Sequence, residues 1–245
     1  MKLILFDIDG TLIDSGGAGM RALDLAFNEL LSINNAFDKV SMAGKTDLQI
    51  VREGLKIHGI SSDNGIVPKL IASYISHLER QLQNPHKQLK PGIKEVLDTL
   101  NTMNNRYALG LLTGNIEHGA RMKLEPFDLN HYFPFGAFGS DDEDRNKLLP
   151  IAANRFELIS GRPLQYKDCI VIGDTPRDSQ CAKPYGALSI GVATGPYSFQ
   201  ALLQAGADSV FETLVDTEFF LRELDRISLG NEQLRVDNPK SRRTL

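Results

Sequence analysis

The sequence predicts an α/β protein with a doubly wound parallel sheet and a small all-helical domain inserted into it. Four short apolar runs, each ending in Asp or Thr beside Gly, are typical of strands buried on both faces. Helical patterns alternate with these runs, which indicates a parallel sheet covered by helices. One long interval without a convincing strand, between Asp14 and about Lys90, predicts the inserted domain.

The predicted strands of the sheet start from the first residues of the chain, in the segment KLILF. Three further apolar runs, YALGLLTGN, CIVIGDTP and ALSIGVATG, cover 107–115, 169–176 and 187–195, and a weaker fifth strand is predicted within 132–139. Helical patterns fill the intervals between the runs, over 93–103, 117–127, 147–159 and 178–186.

The interval between the first and second strands has the periodicity of several amphipathic helices. In its first segment, Leu23, Phe27, Leu30 and Leu31 fall on one stripe, which such helices bury against each other. Glycines at 16, 17 and 19 and the segment KPGI at 90–93 are the expected hinges. We therefore predict a core formed by 1–14 and 91–229, a helical domain at 15–90, and a polar tail at 230–245.

Composition is that of an ordinary globular protein, and it excludes several classes of function. The 245 residues are 42% hydrophobic and 24% charged, and the net charge of -4 argues against a broad basic surface for nucleic acid. No run approaches the length of a membrane-spanning helix, and the two cysteines form no CxxC pattern. We expect a cytoplasmic protein without nucleic-acid or membrane partners, and the sequence leaves its oligomeric state open.

Polar residues follow the predicted strands at the point where each strand ends. Asp7, Thr113 and Asp174 occupy these positions. Ligands of open α/β sheets bind in the crevice at the carboxyl ends of the strands, so we expect these side chains to converge there. A carboxylate cluster of this kind needs a hard cation, and its oxygen ligands suit Mg²⁺ shared with a substrate phosphate. The chain has no Walker A lysine loop, which argues against a P-loop nucleotide hydrolase.

Three segments at these strand ends carry a resemblance to a known superfamily. DIDGT, LLTGN and GDTPRD stand in the order that the motifs of haloacid dehalogenase superfamily hydrolases require. The chain resembles the phosphoglycolate-phosphatase-like branch over roughly residues 2 to 225. The resemblance implies a Rossmann-like core, and the inserted helices resemble the mobile cap of that branch.

The resemblance implies a Mg²⁺-dependent phosphatase for a small phosphorylated metabolite, with phosphoglycolate as the substrate that the branch suggests. Asp7 would attack phosphorus and form an aspartyl-phosphate. Asp9 would protonate the leaving oxygen and later accept a proton from water. The Asp7 carboxylate, the Asp9 backbone carbonyl and Asp174 would hold the metal, and Gly10 would allow the tight path of the chain.

The same resemblance assigns residues to the phosphate oxygens. Thr113 and a lysine would bind them, and Asp178 would orient that lysine or the waters on the metal. Gly114 and Asn115 belong to the LLTGN segment, and the Asn115 amide would lie near the phosphate. We therefore expect Thr113 in the catalytic set and the two residues after it in the substrate-binding set.

The lysine is the point at which this chain departs from the pattern of the family. The segment SDDEDRNKLLP lacks the usual Lys-Pro, but Lys147 lies three residues before Pro150, which fits the family spacing. Arg145 is its rival, because a guanidinium binds phosphate through two parallel hydrogen bonds. We predict that Lys147 is the phosphate-binding residue.

The segment AGKTDLQIV at 43–51 resembles the cap loop that faces the substrate in this branch. Lys45 is therefore a candidate for substrate binding. A second interpretation is equally open, in which Thr46 caps a helix and Lys45 is a solvated neighbour.

Other interpretations of the carboxylates are weaker but stay open. Asp7 and Asp9 in isolation are common turn residues, and Thr113 and Asp174 are common helix caps. A sugar-phosphate mutase of the same superfamily also needs both Asp7 and Asp9. A receiver-type phospho-switch uses a similar set of residues, but it needs neither a second carboxylate at position 9 nor a long insertion.

Overall fold

The computed structural model describes residues 1–229, and its centre is a sheet of six parallel strands. The strands of the sheet are β1 (Lys2–Phe6), β4 (Tyr107–Thr113), β5 (Gly136–Phe138), β6 (Cys169–Gly173), β7 (Leu188–Val192) and β8 (Ser209–Phe211). Two further strands, β2 (Ile13–Asp14) and β3 (Gln88–Leu89), pair antiparallel in a separate ribbon. The α/β fold class predicted from the sequence is confirmed.

Helices separate the strands along the chain. They are α1 (Ala18–Leu31), α2 (Asp47–Ile57), α3 (Ile66–Gln81), α4 (Ile93–Thr102), α5 (Glu117–Leu124), α6 (Leu148–Ser160), α7 (Pro176–Ala182), α8 (Phe199–Gln204) and α9 (Thr217–Leu229). Short 3-10 turns extend α5 and α7. Within the residues that the structure describes, no helix is long and apolar enough to cross a membrane.

The strand order β5-β4-β1-β6-β7-β8 places β1 at the centre, with β4 on one side and β6 on the other. The chain adds β4 and β5 on one side of β1 and then crosses to add β6, β7 and β8 on the other, so a crevice opens at the carboxyl ends of β1, β4 and β6. The residues that follow these three strands therefore lie at one edge of the sheet.

Helices cover both faces of the sheet, as the apolar strands require. Alternate residues of β1 point to opposite faces: Ile4 and Phe6 belong to one buried cluster, and Leu3 and Leu5 to another. All four side chains are completely buried. A strand buried on both faces fixes its register firmly, which holds Asp7 in place directly after it.

Helices α1, α2 and α3 form a third buried cluster of their own, which we call the cap. Phe27, Val51, Leu70 and Tyr74 are completely buried in this cluster. The β2–β3 ribbon joins the cap to the core at the two points where the chain passes between them. The side chain of Asp14 in β2 also lies 3.5 Å from Lys90, which is one residue beyond β3.

Several short elements differ from the sequence-based expectations. The ribbon strands of two residues each and the three-residue β8 were not predicted, because they are too short to show a periodicity. The predicted strand within 132–139 is confined to Gly136–Phe138. The predicted tail at 230–245 lies outside the described residues.

Candidate active site

The carboxyl ends of β1, β4 and β6 bring Asp7, Thr113 and Asp174 to one cavity, as the sequence analysis expected of these strand ends. The cavity has a volume of about 260 Å³ and lies between the core and the cap. Asp7, Thr113 and Asp174 are 5%, 0% and 2% exposed. Burial of this kind is unusual for carboxylates and requires compensating partners.

Three buried carboxylates form a compact group at the floor of the cavity. Oxygen atoms of Asp7, Asp174 and Asp178 all lie within 4.8 Å of one another. Burial and the negative charge of Asp178 raise the pKa of Asp7 to about 6, although the positive charge of Arg145 acts to lower it. Burial and the charges of Asp7 and Asp178 also raise the pKa of Asp174 well above its ordinary value. Both raised pKa values have burial as their largest cause, and the neighbouring carboxylates add to it.

Two glycines leave room for the Asp174 carboxylate. A Cβ atom on Gly10 would lie 2.2 Å from Asp174 Oδ2, and one on Gly195 would lie 1.7 Å from it. Gly10 also has a φ of 84°, which side chains other than glycine rarely adopt. Thr11 donates a hydrogen bond of 3.2 Å to Asp174 Oδ1. Gly10 therefore leaves the space that the Asp174 side chain occupies, and it also allows the turn after β1.

Arg145 occupies the position at which we expected Lys147. Its side chain is 4% exposed, and its guanidinium contacts Asp178 Oδ1 and lies 3.3 Å from Asp7 Oδ2. Lys147 does not line the cavity: its side chain is 62% exposed and forms an ion pair with Asp142. The difference arises because Arg145 begins a 3-10 turn that faces the core, whereas Lys147, two residues later, faces solvent.

Asp178 is held by the start of α7. The Thr175 amide and hydroxyl donate to Asp178 Oδ2 at 2.9 and 2.8 Å. The bond from the Thr175 amide is one half of a capping box at the N-terminus of the helix, and in the other half the Thr175 side chain accepts from the Asp178 amide. The other carboxylate oxygen of Asp178 accepts from Arg145. The structure thus places Asp178 next to the basic residue that it was expected to orient, although that residue is an arginine.

Asp9 turns away from the three carboxylates and contacts Lys123, a residue that the sequence analysis missed. Lys123 Nζ donates to Asp9 Oδ2 and to Asn115 Oδ1, each at 2.6 Å. The Asn115 amide donates to Asp9 Oδ2 and to Thr113 Oγ1, both at 2.9 Å. Lys123 is 4% exposed and lies on the buried face of α5 with Ala120. The sequence feature that could have identified Lys123 is a lysine at an inward-facing position of the helix that follows LLTGN.

These contacts set the charge state of Asp9. Burial acts to raise its pKa, but the charge of Lys123 and the hydrogen bonds from Lys123 and Asn115 outweigh that effect and lower it. Burial acts to lower the pKa of Lys123, but the negative charges of Asp9, Asp47 and Asp7 raise it. Asp9 and Lys123 therefore form an ion pair beside the carboxylate group, in which Lys123 is buried and Asp9 is partly exposed.

The cap closes the cavity through residues 43–47, which we call the docking loop. The Asp47 amide donates to Gly114 O at 2.8 Å, and the Ile116 amide donates to Asp47 Oδ2 at 2.9 Å. The Thr46 hydroxyl donates to Glu143 O at 2.8 Å. A Cβ atom on Gly114 would lie 2.1 Å from Lys45 O, so the two backbones are in direct contact.

The docking loop shares one feature with each of the interpretations that the sequence left open, but Lys45 is not a solvated neighbour of Thr46. Thr46 caps α2 by accepting from the Gln49 amide at 3.2 Å. Lys45 lines the cavity, and its ammonium is bound to Glu53 of the cap. Gly114 and Asn115 also line the cavity, on the opposite, core side.

The carboxylate group fits a hard divalent cation. Asp7, Asp174 and Asp178 supply only oxygen atoms, and Arg145 alone among the described residues is in ionic contact with them. Three carboxylates stand against this one guanidinium, and burial together with their mutual repulsion raises the pKa values of Asp7 and Asp174. That the Asp9 backbone carbonyl also binds the metal stays a prediction.

Comparisons with known proteins agree on one family. The family of haloacid dehalogenase-like hydrolases matches residues 4–192. A phosphoglycolate phosphatase of Aliivibrio fischeri is 28% identical over 197 residues, which cover 80% of this chain and 85% of the relative.

Solved structures show the same fold. A hydrolase from Pseudomonas syringae superposes with a TM-score of 0.72 at 24% identity, covering 91% of this chain and 99% of its own. A protein from Bacteroides vulgatus, provisionally named a beta-phosphoglucomutase, superposes with a TM-score of 0.67 at 20% identity. The superposition covers 93% of this chain and 90% of that protein. Because both identities are below 25%, these two likenesses concern the fold alone. Because the family match covers most of its length, the chain belongs to the haloacid dehalogenase-like hydrolases. Among them it is similar to phosphoglycolate phosphatases.

Proposed function

We propose that the protein is a Mg²⁺-dependent phosphatase that hydrolyses a phosphate monoester of a small metabolite. The observation that carries the proposal is the grouping of Asp7, Asp174 and Asp178 with the Arg145 guanidinium at one cavity, which Asp7, Asp174 and Arg145 line. Anionic oxygens for a metal and a cationic donor for phosphate are the two parts that phosphoryl transfer needs. The curated relatives named phosphoglycolate phosphatases support the same reaction class.

In this proposal Asp7 is the nucleophile. One of its oxygens attacks phosphorus, the bond from phosphorus to the leaving oxygen breaks, and an aspartyl-phosphate forms. Water then attacks phosphorus, which releases inorganic phosphate and restores Asp7. The cation would be held by Asp7, Asp174 and the Asp9 carbonyl, and when bound it offsets charge on the phosphoryl group.

The remaining residues transfer protons and bind the phosphate oxygens. Asp9 gives a proton to the leaving oxygen and takes one from the attacking water. Lys123 favours the ionised form of Asp9, which is the form that the second step requires. Arg145 and Thr113 bind phosphate oxygens, and Asn115 fixes both Thr113 and Asp9 through its amide.

The test is phosphate release from an aryl phosphate by the full chain in Mg²⁺. We expect turnover that EDTA abolishes and that excess Mg²⁺ restores. Asp7→Asn should lower kcat by at least about 1,000-fold, because an amide is a poor nucleophile. Activity that survives this substitution would contradict the proposal. Phosphoglycolate is the first metabolite to compare.

The mutase and phospho-switch alternatives give different outcomes in the same assay. A mutase would interconvert sugar-phosphate isomers without net release of phosphate. A phospho-switch would release about one equivalent of alcohol per protein and then stop, because the aspartyl-phosphate would persist.

A further inference from the structure

We infer that the cavity selects a leaving group that is uncharged and carries a hydroxyl, and that Tyr74 is the specificity-determining residue that binds it. This inference rests on the proposed phosphatase function. It concerns the part of the cavity that the cap supplies, where none of the predicted catalytic residues lies.

Tyr74, in α3, places a polar atom in this part of the cavity that no hydrogen bond of good geometry satisfies. Its side chain is 0% exposed, and among residues 1–229 its hydroxyl makes no such hydrogen bond, although it lies close enough to the Asp47 carboxylate to interact with it. The hydroxyl lies 3.9 Å from the point where a Cβ atom on Gly19 would stand, and Lys123 Nζ lies 3.3 Å from the same point, so Gly19 lines the cavity beside both groups. A buried hydroxyl without a partner is costly, and a polar group of the ligand removes that cost.

The cations that line the cavity are already engaged by carboxylates. Arg145 contacts Asp7 and Asp178, and Lys123 contacts Asp9. The remaining one, Lys45, is bound to Glu53 of the cap. Within the described part of the chain, therefore, the cavity offers no uncommitted cation to a carboxylate on the leaving group.

The acidic groups in the cavity oppose a negatively charged leaving group directly. Asp47 lines the cavity and accepts the Ile116 amide, while Asp9 lies on the core side. Burial raises the pKa of Asp47 to about 6, against the opposing charge of Lys123. A carboxylate on the substrate would add a like charge to these two, which disfavours its binding.

Apolar side chains complete the wall of the cap. Met20, Leu23, Met42 and Ile50 line the cavity together with Tyr74. Such a surface packs against the carbon atoms of an alcohol, while a few polar atoms fix its orientation. A small alcohol with a free hydroxyl, such as a polyol, satisfies both the apolar wall and the Tyr74 hydroxyl. The carboxylate of phosphoglycolate offers little carbon surface to this wall and adds a like charge beside Asp47 and Asp9.

A matched pair of substrates tests this inference on the full chain with Mg²⁺. Glycerol 3-phosphate and 3-phosphoglycerate have the same carbon skeleton and differ by a hydroxymethyl group in place of a carboxylate. We expect kcat/KM to be at least about tenfold higher for glycerol 3-phosphate, the factor that one buried polar interaction contributes. Tyr74→Phe should reduce this ratio by about tenfold, because it removes only the hydroxyl.

Controls separate a role in specificity from a role in folding. Tyr166→Phe removes a tyrosine hydroxyl that is outside the cavity, where the residue is 39% exposed, and it should leave the ratio unchanged. Tyr74→Phe should melt within a few degrees of the wild type, because the deleted hydroxyl makes no hydrogen bond of good geometry among the described residues. An equal loss on both substrates in this variant would mean a structural role and would overturn the inference.

The outcomes also distinguish this inference from the proposed function. If the wild type hydrolyses an aryl phosphate but prefers 3-phosphoglycerate, or fails to hydrolyse glycerol 3-phosphate, only the inference is overturned. If none of the three substrates releases phosphate with Mg²⁺, the proposed function fails and the inference falls with it.

Discussion

Arg145 and Lys147 are two residues apart in the chain, yet their environments are opposite. Arg145 is buried between Asp7 and Asp178, whereas Lys147 pairs with Asp142 at the surface. The guanidinium contacts two of the three grouped carboxylates, Asp7 and Asp178, and is therefore the main source of positive charge at the cavity floor. We infer that Arg145, and not Lys147, binds the phosphate oxygens.

Substitution of each residue by methionine tests this assignment. Arg145→Met should lower kcat/KM by about 100-fold or more, because it removes a charged donor from the developing negative charge. Lys147→Met should stay within about twofold of the wild type, as expected for an exposed ion pair. Steady-state kinetics in Mg²⁺ measure both, and circular dichroism checks that the variants fold. The reverse ranking would contradict the assignment.

The predictability of individual site residues depends on how firmly their elements fix them. Asp7 and Asp174 could be predicted, because each follows a strand whose apolar run is visible in the sequence. Arg145 lies in a 3-10 turn after a loop, where the facing direction changes from one residue to the next. Lys123 was missed because a helical lysine is normally solvated, and only the position of Asp9 across the cavity explains its burial.

At the scale of elements, the strand order could be anticipated only in part. The apolar runs predict which segments form strands, but not that β1 lies between β4 and β6. Contacts between elements decide that order, and one sequence carries no record of them. The short β8 and the β2–β3 ribbon depend on the same long-range contacts. The contact between the docking loop and the core is of this kind as well.

Gly114→Ala tests whether the cap must dock closely for activity. The added Cβ atom would lie 2.1 Å from Lys45 O, so the docking loop must move away from the core. Displacing Lys45 and Asp47 by about 1 Å should lower kcat/KM by roughly 100-fold, because the closed cavity positions the substrate. Phosphate-release kinetics on an aryl phosphate and on the preferred metabolite give the measurement.

Gly119→Ala is the matched control for this variant. Gly119 lies within α5, and its added Cβ would meet the nearest side chain at 3.3 Å, which small shifts can accommodate. Activity of this control should stay close to that of the wild type, and alanine should favour the helix. Equal losses in both variants would show that α5 and its neighbourhood are generally intolerant, and not that docking matters.

At the scale of the whole molecule, the cavity floor opposes folding when no metal is bound. The pKa of Asp7 is raised to about 6, and that of Asp174 is raised well above the ordinary value of 3.8. Between about pH 4 and 6 the folded protein therefore holds more protons at these groups than the unfolded chain does, so their contribution to stability falls as the pH rises. A divalent cation binds the ionised carboxylates and should reverse this loss.

Mg²⁺ should therefore raise the melting temperature, and more so at pH 7.5 than at pH 5.0. At 100 times its dissociation constant, a ligand adds about 2.7 kcal/mol, which corresponds to roughly 5–10 °C for a chain of this size. Differential scanning fluorimetry with Mg²⁺ and with EDTA measures the shift at both pH values. Asp174→Asn should melt higher than the wild type in EDTA and lose the Mg²⁺ shift, whereas Asp142→Asn, at the exposed ion pair, should keep it. A shift that is equal at the two pH values, or that survives Asp174→Asn, would place the metal elsewhere.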